Sequence, residues 1–251
     1  MIADVVLAAL LGAAVGSFLN VVAARLPRGE SLVHPGSHCP QCGAAIRARH
    51  NVPVLGWLAL RGRCYDCGHR IPARYPIVEA VTAALFAGVV ARQGGWGADV
   101  ILPLLLVVTL IPVVLIDLDH RLIPNKITLP AAIAGLVVAL AVDTSSVPGR
   151  LIAAVAAGGA FLAVALAVPG GMGIGDVKLV GVLGLYLAAS VLPALFAGVL
   201  GGAVAGGAVV AREGVRRGRR ATIPFGPFLA LGGLVGVFAG PQIIDLYRHG
   251  L

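Results

Sequence analysis

The chain has 251 residues, of which 59% are hydrophobic and only 12% charged, with a net charge of +8 and a mean hydropathy of +0.97. A soluble domain carries about 25% charged residues, so an ordinary globular domain is excluded and a polytopic membrane protein is indicated; the 35 glycines fit this, because Gly is frequent in membrane helices. The positive charge does not point to nucleic acid: Lys and Arg lie in short loops between apolar runs rather than on one basic soluble face.

In chain order, the first apolar run covers 2–24. It has no positively charged start and its arginines follow it, so it reads as a transmembrane helix rather than a signal peptide. Further spans of about 20 apolar residues are expected near 76–92, 98–118, 127–142, 151–168, 174–193, 194–211 and 223–245, with the sixth and seventh separated only by Pro193. The fold class is therefore all-α and polytopic, with about eight transmembrane helices. If the N-terminus faces out, one side collects Arg25, Arg28, the arginines up to Arg74, Arg121, Lys126, Lys178, Arg212, Arg216, Arg217, Arg219 and Arg220. The other side keeps Arg92, Arg150 and Arg248. The positive-inside rule then makes loop 25–75 cytosolic, together with the stretches near 117–126 and 169–176. Gly198, Gly202 and Gly206, and Gly232, Gly236 and Gly240, recur four apart, a spacing that lets helices pack closely within a bundle.

All four cysteines lie in loop 25–75, as "CPQC" (39–42) and "CYDC" (64–67). Two C-x-x-C knuckles at this separation match a four-thiolate zinc pattern of Cys39, Cys42, Cys64 and Cys67. Such a site is closed and structural, with no coordination position left for substrate. Two disulfides are the competing reading, and a reducing cytosol disfavours them. Glycine follows each second cysteine, at Gly43 and Gly68, where a tight backbone would bring amides towards sulfur.

The acids are few. Asp117 and Asp119 end one span, in "LIPVVLIDLDHRLIPN", and Asp176 opens another, in "PGGMGIGDVKL". Ionisable groups at membrane depth are functional candidates, set against the plain alternative of water-exposed interfacial acids. Positions i and i+2 of a helix point apart; Asp117 lies deeper in the apolar run, while Asp119 adjoins His120 and Arg121. Two carboxylates brought together share a proton, so one can act as base on water and the other as acid. Gly170, Gly171, Gly173 and Gly175 strip side chains from around Asp176, leaving room for an extended substrate backbone. Lys178 reads either as part of this substrate loop or as a snorkelling anchor.

Six stretches in order resemble the type IV prepilin peptidase family, the bifunctional leader peptidase and N-methyltransferase among the GxGD aspartic proteases. They are "GSFLNVVAARLP" (16–27), the cysteine loop with "NVPVLGWLALRGRC" (51–64), "RIPARYPIVEA" (70–80), "IDLDHRLIPN" (116–125), "GMGIGDVKL" (171–179) and "IPFGPFLALG" (223–232). The resemblance implies that Asp117 and Asp176 are the catalytic pair and that the substrates are pilin or pseudopilin precursors. It implies cleavage at the cytosolic face of the bacterial inner membrane, then methylation of the new N-terminus from S-adenosylmethionine. Many relatives carry an acid where this chain has Asn125. Arg74, Tyr75 and Glu79 are possible methyltransferase residues, although a helix cap would also explain Glu79.

The expected organisation is a first transmembrane helix (1–24), a zinc-binding loop domain linked to methylation (25–75) and a membrane-embedded peptidase core (76–251). Two alternatives stay open at this level: a peptidase without methylation, and a transporter that uses its acids as a proton relay.

Overall fold

The computed structural model describes residues 1–168, 171–214 and 224–249. Gly170, Arg216, Arg217, Arg219, Arg220 and Ile223 lie outside the described residues. The chain divides into two compact units, Met1–Val100 and Ile101–Leu251. The described regular structure is helical, with two isolated antiparallel bridges.

In the first unit, α1 (Ile2–Arg25) and α3 (Arg74–Gln93) pack along their lengths, and the loop between them carries one short helix, α2 (Leu55–Ala59). The seam is built on small residues. A Cβ added at Gly12 would stand 2.8 Å from Phe86 Cβ and from the Thr82 carbonyl, and one at Gly16 would stand 2.9 Å from Glu79 Cα. This is close helix approach through small residues four apart. Buried Asn20 adds polar glue, its amide donating to the carbonyls of Gly16 (3.3 Å) and Tyr75 (3.2 Å).

The second unit contains α4 (Ile101–His120), α5 (Asn125–Val142), α6 (Val147–Ala167), α7 (Ile174–Leu187), α8 (Val191–Glu213), α9 (Gly226–Phe238) and α10 (Gly240–His249). Its core centres on Leu106, Leu110, Val113, Leu179, Leu183 and Leu229. Among the described residues, six helical runs are long and apolar enough to cross a membrane, or seven if the bent pair α9–α10 is one span. One of the six, Ile174–Arg212, is 39 residues long. A straight helix of that length would reach about 58 Å at 1.5 Å per residue, nearly twice the roughly 30 Å hydrocarbon core.

The packing shows that this run doubles back. Leu183 and Leu187 of α7 lie against Gly233 and Gly236 of α9 in the same chain order. Gly202, Gly198 and Ala194 of α8 meet Phe225, Phe228 and Gly232 in the reverse order. So α7 runs with α9 and α8 runs against it, which divides the 39-residue run into two antiparallel helices. The reversal falls at Ala188 (φ 50°, ψ −128°) rather than at Pro193. Pro193 instead occupies the first turn of α8, where a missing N–H costs nothing.

The last expected span, 223–245, bends by 63° between α9 and α10. Pro241 follows the break and removes a donor from the helical ladder. Gly198 and Gly202 of α8 and Gly232 and Gly236 of α9 do pack within the bundle, as their spacing suggests.

The Gly12 contact sets an expectation. Gly12→Val forces α1 away from α3 and should cost about 1–3 kcal/mol, the usual range for overpacking. A thermal melt of the detergent-purified variant would read this as a lowered Tm.

Candidate functional sites

The cysteine loop folds as two near-identical knuckles. In the first, the Cys39 N–H donates to the Ala44 carbonyl (2.9 Å) and the Gly43 N–H to the Cys39 carbonyl (2.9 Å). In the second, the Cys64 N–H donates to the His69 carbonyl (2.8 Å) and the Gly68 N–H to the Cys64 carbonyl (3.0 Å). A bridge closes each turn, His38 with Ala45 and Arg63 with Arg70. Gly43 and Gly68 both adopt φ +71°, a left-handed conformation that a Cβ would strain.

The two turns bring all four sulfurs within 4.8 Å of one another. Cys39 Sγ and Cys67 Sγ are 3.8 Å apart, and all four thiols are free of disulfides. Tetrahedral zinc with arms of about 2.3 Å sets its sulfurs about 3.8 Å apart, so the donor set and spacing fit a closed metal site. The thiols differ in acidity. Cys39 is drawn down to about 7, chiefly by the backbone N–H groups of Cys42 and Gln41. At Cys67 the His69 N–H pulls the other way, yet burial and the three neighbouring sulfurs push the thiol up to about 12. A cation relieves that crowding of negative charge, because metal binding requires thiolates and releases protons. His38 and His69 are exposed and stand outside the four-sulfur group.

The acids belong to the second unit. Asp117 sits in the last turn of α4 and is 5% exposed. Its Oδ2 accepts the backbone N–H of Gly226, the first residue of α9, at 2.9 Å in a buried bond. Side-chain space is closed there: a Cβ on Gly226 would stand 2.7 Å from that same oxygen.

Asp176 is the third residue of α7 and caps it. The Gly173 N–H donates to Asp176 Oδ2 (3.2 Å), and the Asp176 N–H donates back to the Gly173 carbonyl (3.0 Å). A carboxylate in a first helical turn is also favoured by the helix dipole. Gly175 packs on Ile123, just beyond the end of α4, where an added Cβ would stand 3.0 Å from the Ile123 Cβ. The C-terminal end of α4 and the N-terminal ends of α5, α7 and α9 therefore meet at one end of this unit.

Lys178 is exposed, and its Nζ donates to Asn125 Oδ1 at 2.9 Å, joining the starts of α5 and α7. Asn125 thus takes a position where an acid would form an ion pair. Asp119 is exposed, two residues beyond the buried Asp117. Arg74 and Tyr75 open α3, and Glu79 lies one turn on, 8% exposed. Glu79 Oε2 accepts the Val54 N–H at 2.6 Å, where Val54 (φ 61°) leads into α2. The Gly226 and Val54 amides are the site groups that the sequence did not disclose. Their only traces were the stretches "IPFGPFLALG" and "NVPVLGWLALRGRC", quoted for the resemblance but given no role.

Two family models match consecutive parts of the chain: the bacterial peptidase A24 N-terminal domain over residues 10–93 and the type IV leader peptidase family over residues 104–210. The prepilin leader peptidase/N-methyltransferase of Burkholderia pseudomallei (strain 1026b) is 40% identical over 266 residues, covering 93% of this chain and 84% of that protein. This chain belongs to the type IV leader peptidase family. The family member of Neisseria gonorrhoeae with the same name is 38% identical, over 91% of this chain and 88% of its own length. A shorter match, to the Myxococcus xanthus (strain DK1622) protein so named, reaches 47% over 129 residues, or 51% of this chain and 38% of that protein. No solved structure matches the chain.

Metal analysis of the purified protein is expected to find one zinc per chain. Cys42→Ser should lose it, and proteolysis should then cut within 25–75; unchanged metal content in that variant would remove the knuckle assignment.

Proposed function

We propose that this chain is a membrane-embedded aspartic endopeptidase that removes the leader from type IV pilin or pseudopilin precursors and then N-methylates the new terminus. The observation that supports the reading is the placement of two acids from distant parts of the sequence at the same end of the second unit, each held through one carboxylate oxygen by a backbone N–H. The names of relatives aligned over most of this chain support the same activities.

The division of labour follows from the two settings. Two carboxylates at close range hold one proton between them. Asp176, in the first turn of α7, has the helix dipole to support its charge and serves as base, taking a proton from water. Asp117, deeper in the protein, carries the shared proton and gives it to the carbonyl oxygen of the scissile peptide as the hydroxide adds. Collapse of the tetrahedral intermediate returns a hydroxyl proton to Asp117 and expels the amine, which takes up a proton from Asp176. Gly173 and Gly175 leave the approach to Asp176 free of side chains, and the Lys178–Asn125 bond holds the two helix starts that frame it.

The basic loops favour the cytosolic face of a bacterial inner membrane for this chemistry, where the basic leader of a precursor would lie beside anionic lipid. Residues 76–251 form the peptidase core in this reading and 25–75 the zinc-held loop that methylation needs, after the first helix, 1–24. Zinc would be held by Cys39, Cys42, Cys64 and Cys67 as a closed structural centre. S-adenosylmethionine supplies an electrophilic methyl group on a sulfonium.

Co-expression with a pilin precursor tests the reading. Asp117→Asn and Asp176→Asn should each abolish the shortened product, a loss of at least about 10³-fold for removal of a unit-acting catalytic group. Processing that survives both substitutions would refute the protease assignment. Gly226→Ala should lower cleavage about 10²-fold by displacing Asp117, with zinc content unchanged. Mass spectrometry of the mature N-terminus separates a peptidase alone from one that also adds a methyl group.

A further inference from the structure

The first unit contains a cavity of about 420 Å³ between the inner ends of α1 and α3 and the cysteine loop. That volume lies within the range of about 300–1,000 Å³ found for pockets that hold drug-sized ligands. We infer that this cavity is the methyl-donor site, with Glu79 as the anion facing the sulfonium. The inference rests on the methyl-transfer reading above and assigns its place.

The lining has the chemistry such a molecule requires. It includes Glu79, a carboxylate only 8% exposed. One of its oxygens is taken by the Val54 N–H. The other is not among buried polar atoms lacking a partner, because there are none among the described residues, and no second bond to Glu79 is made. Not being buried without a partner, that oxygen is accessible, and Glu79 is a lining residue of the cavity. A buried carboxylate with free acceptor capacity is costly unless a cation neutralises it. A sulfonium is a cation at every pH and has no proton to give, so charge and shape, not hydrogen bonding, would recognise it.

The walls supply aromatic faces. Trp57 is fixed by its indole N–H, which donates to the Ile71 carbonyl at 3.0 Å. Tyr65 lies against His50 with ring centroids 4.9 Å apart and carries the Arg47 guanidinium 4.2 Å from its centroid, so Trp57 and His50 offer the remaining ring surface. All three rings line the cavity. Aromatic faces attract both a cation and a flat purine by offset stacking. Arg25 also lines the cavity; its guanidinium is held by the carbonyls of Ser31 (3.0 Å) and Gly36 (3.3 Å), which leaves a positive charge for the donor's carboxylate. Cys39 is part of the same wall, so the metal knuckle shapes the cavity directly. This explains physically why methylation would need the cysteine loop although four thiolates offer no reactive position.

Two ligands read the proposal apart from its parent reading: sinefungin, in which an ammonium stands where the sulfonium would be, and S-adenosylhomocysteine, which is neutral there. Binding is measured by titration calorimetry on the zinc-loaded full chain in detergent. Wild type should bind both. Glu79→Gln keeps an acceptor for Val54 and should weaken sinefungin at least tenfold more than S-adenosylhomocysteine. Val52→Trp, which adds bulk at a lining residue outside the four-sulfur group, should weaken both. Zinc content and Tm equal to wild type establish that each variant is folded.

Photolabelling of wild type with 8-azido-S-adenosylmethionine needs no variant. Adducts should fall within 17–79, in peptides that carry His50, Trp57 or Tyr65. If wild type binds neither ligand, the methyl-transfer reading itself falls. If it binds both but adducts map to 101–251, or both folded variants bind as wild type does, the cavity assignment is overturned and methyl transfer stands.

Discussion

A carboxylate placed among apolar helices must be given hydrogen bonds by something other than water, and in this protein backbone amides at helix starts provide them. Asp117 takes the first N–H of α9 and Asp176 takes the N–H that precedes α7. These amides have no partner within their own helices, so each bond satisfies a donor and an acceptor together. The requirement dictates the rest of the second unit: α4 must end, and α7 and α9 must begin, at the same level. The Ile123–Gly175 contact and the Lys178–Asn125 bond hold α5 and α7 to that arrangement.

The opposite end of the unit is built to keep this one in place. Arg150 of α6 donates to the carbonyls of Leu185 (3.2 Å) and Tyr186 (2.8 Å), which end α7. The Tyr186 hydroxyl donates to the Ala131 carbonyl of α5 (2.8 Å), a buried bond between neighbouring helices. Lipid offers no hydrophobic drive between helices, so such polar ties, worth about 0.6 kcal/mol each on average, and close small-residue packing supply the cohesion. In the first unit the same logic appears with different residues. Gly12 and Gly16 let α1 and α3 touch, Asn20 bonds across them, and Glu79 ties the loop to α3 through Val54.

Much of this was legible because it is local. The knuckles repeat one turn whose left-handed step needs glycine, so C-x-x-C-G reads directly as Cys39–Gly43 and Cys64–Gly68. The Asp176 cap spans four residues, within the reach of sequence spacing. Apolar length marked the crossings, including the two that run on without a polar break. Their dividing point was misjudged because proline is a conspicuous helix breaker, yet in a first turn it breaks nothing, and the reversal came at an alanine with no such signature. The bend at Ala239 was missed for a related reason: the apolar run continues through it, and only the ladder lost at Pro241 interrupts the helix.

Composition, apolar run length and short motifs thus determined that the chain is an all-helical membrane protein with a four-cysteine loop and acids at helix ends, because each of those properties is written in a few adjacent residues. Only the tertiary structure decided which amide holds Asp117, that Glu79 anchors a strained turn, and that a cavity opens between a helix pair and the cysteine loop. Those features join residues as distant as Asp117 and Gly226, and no local periodicity encodes a contact made when two far-separated helix ends are packed to the same depth.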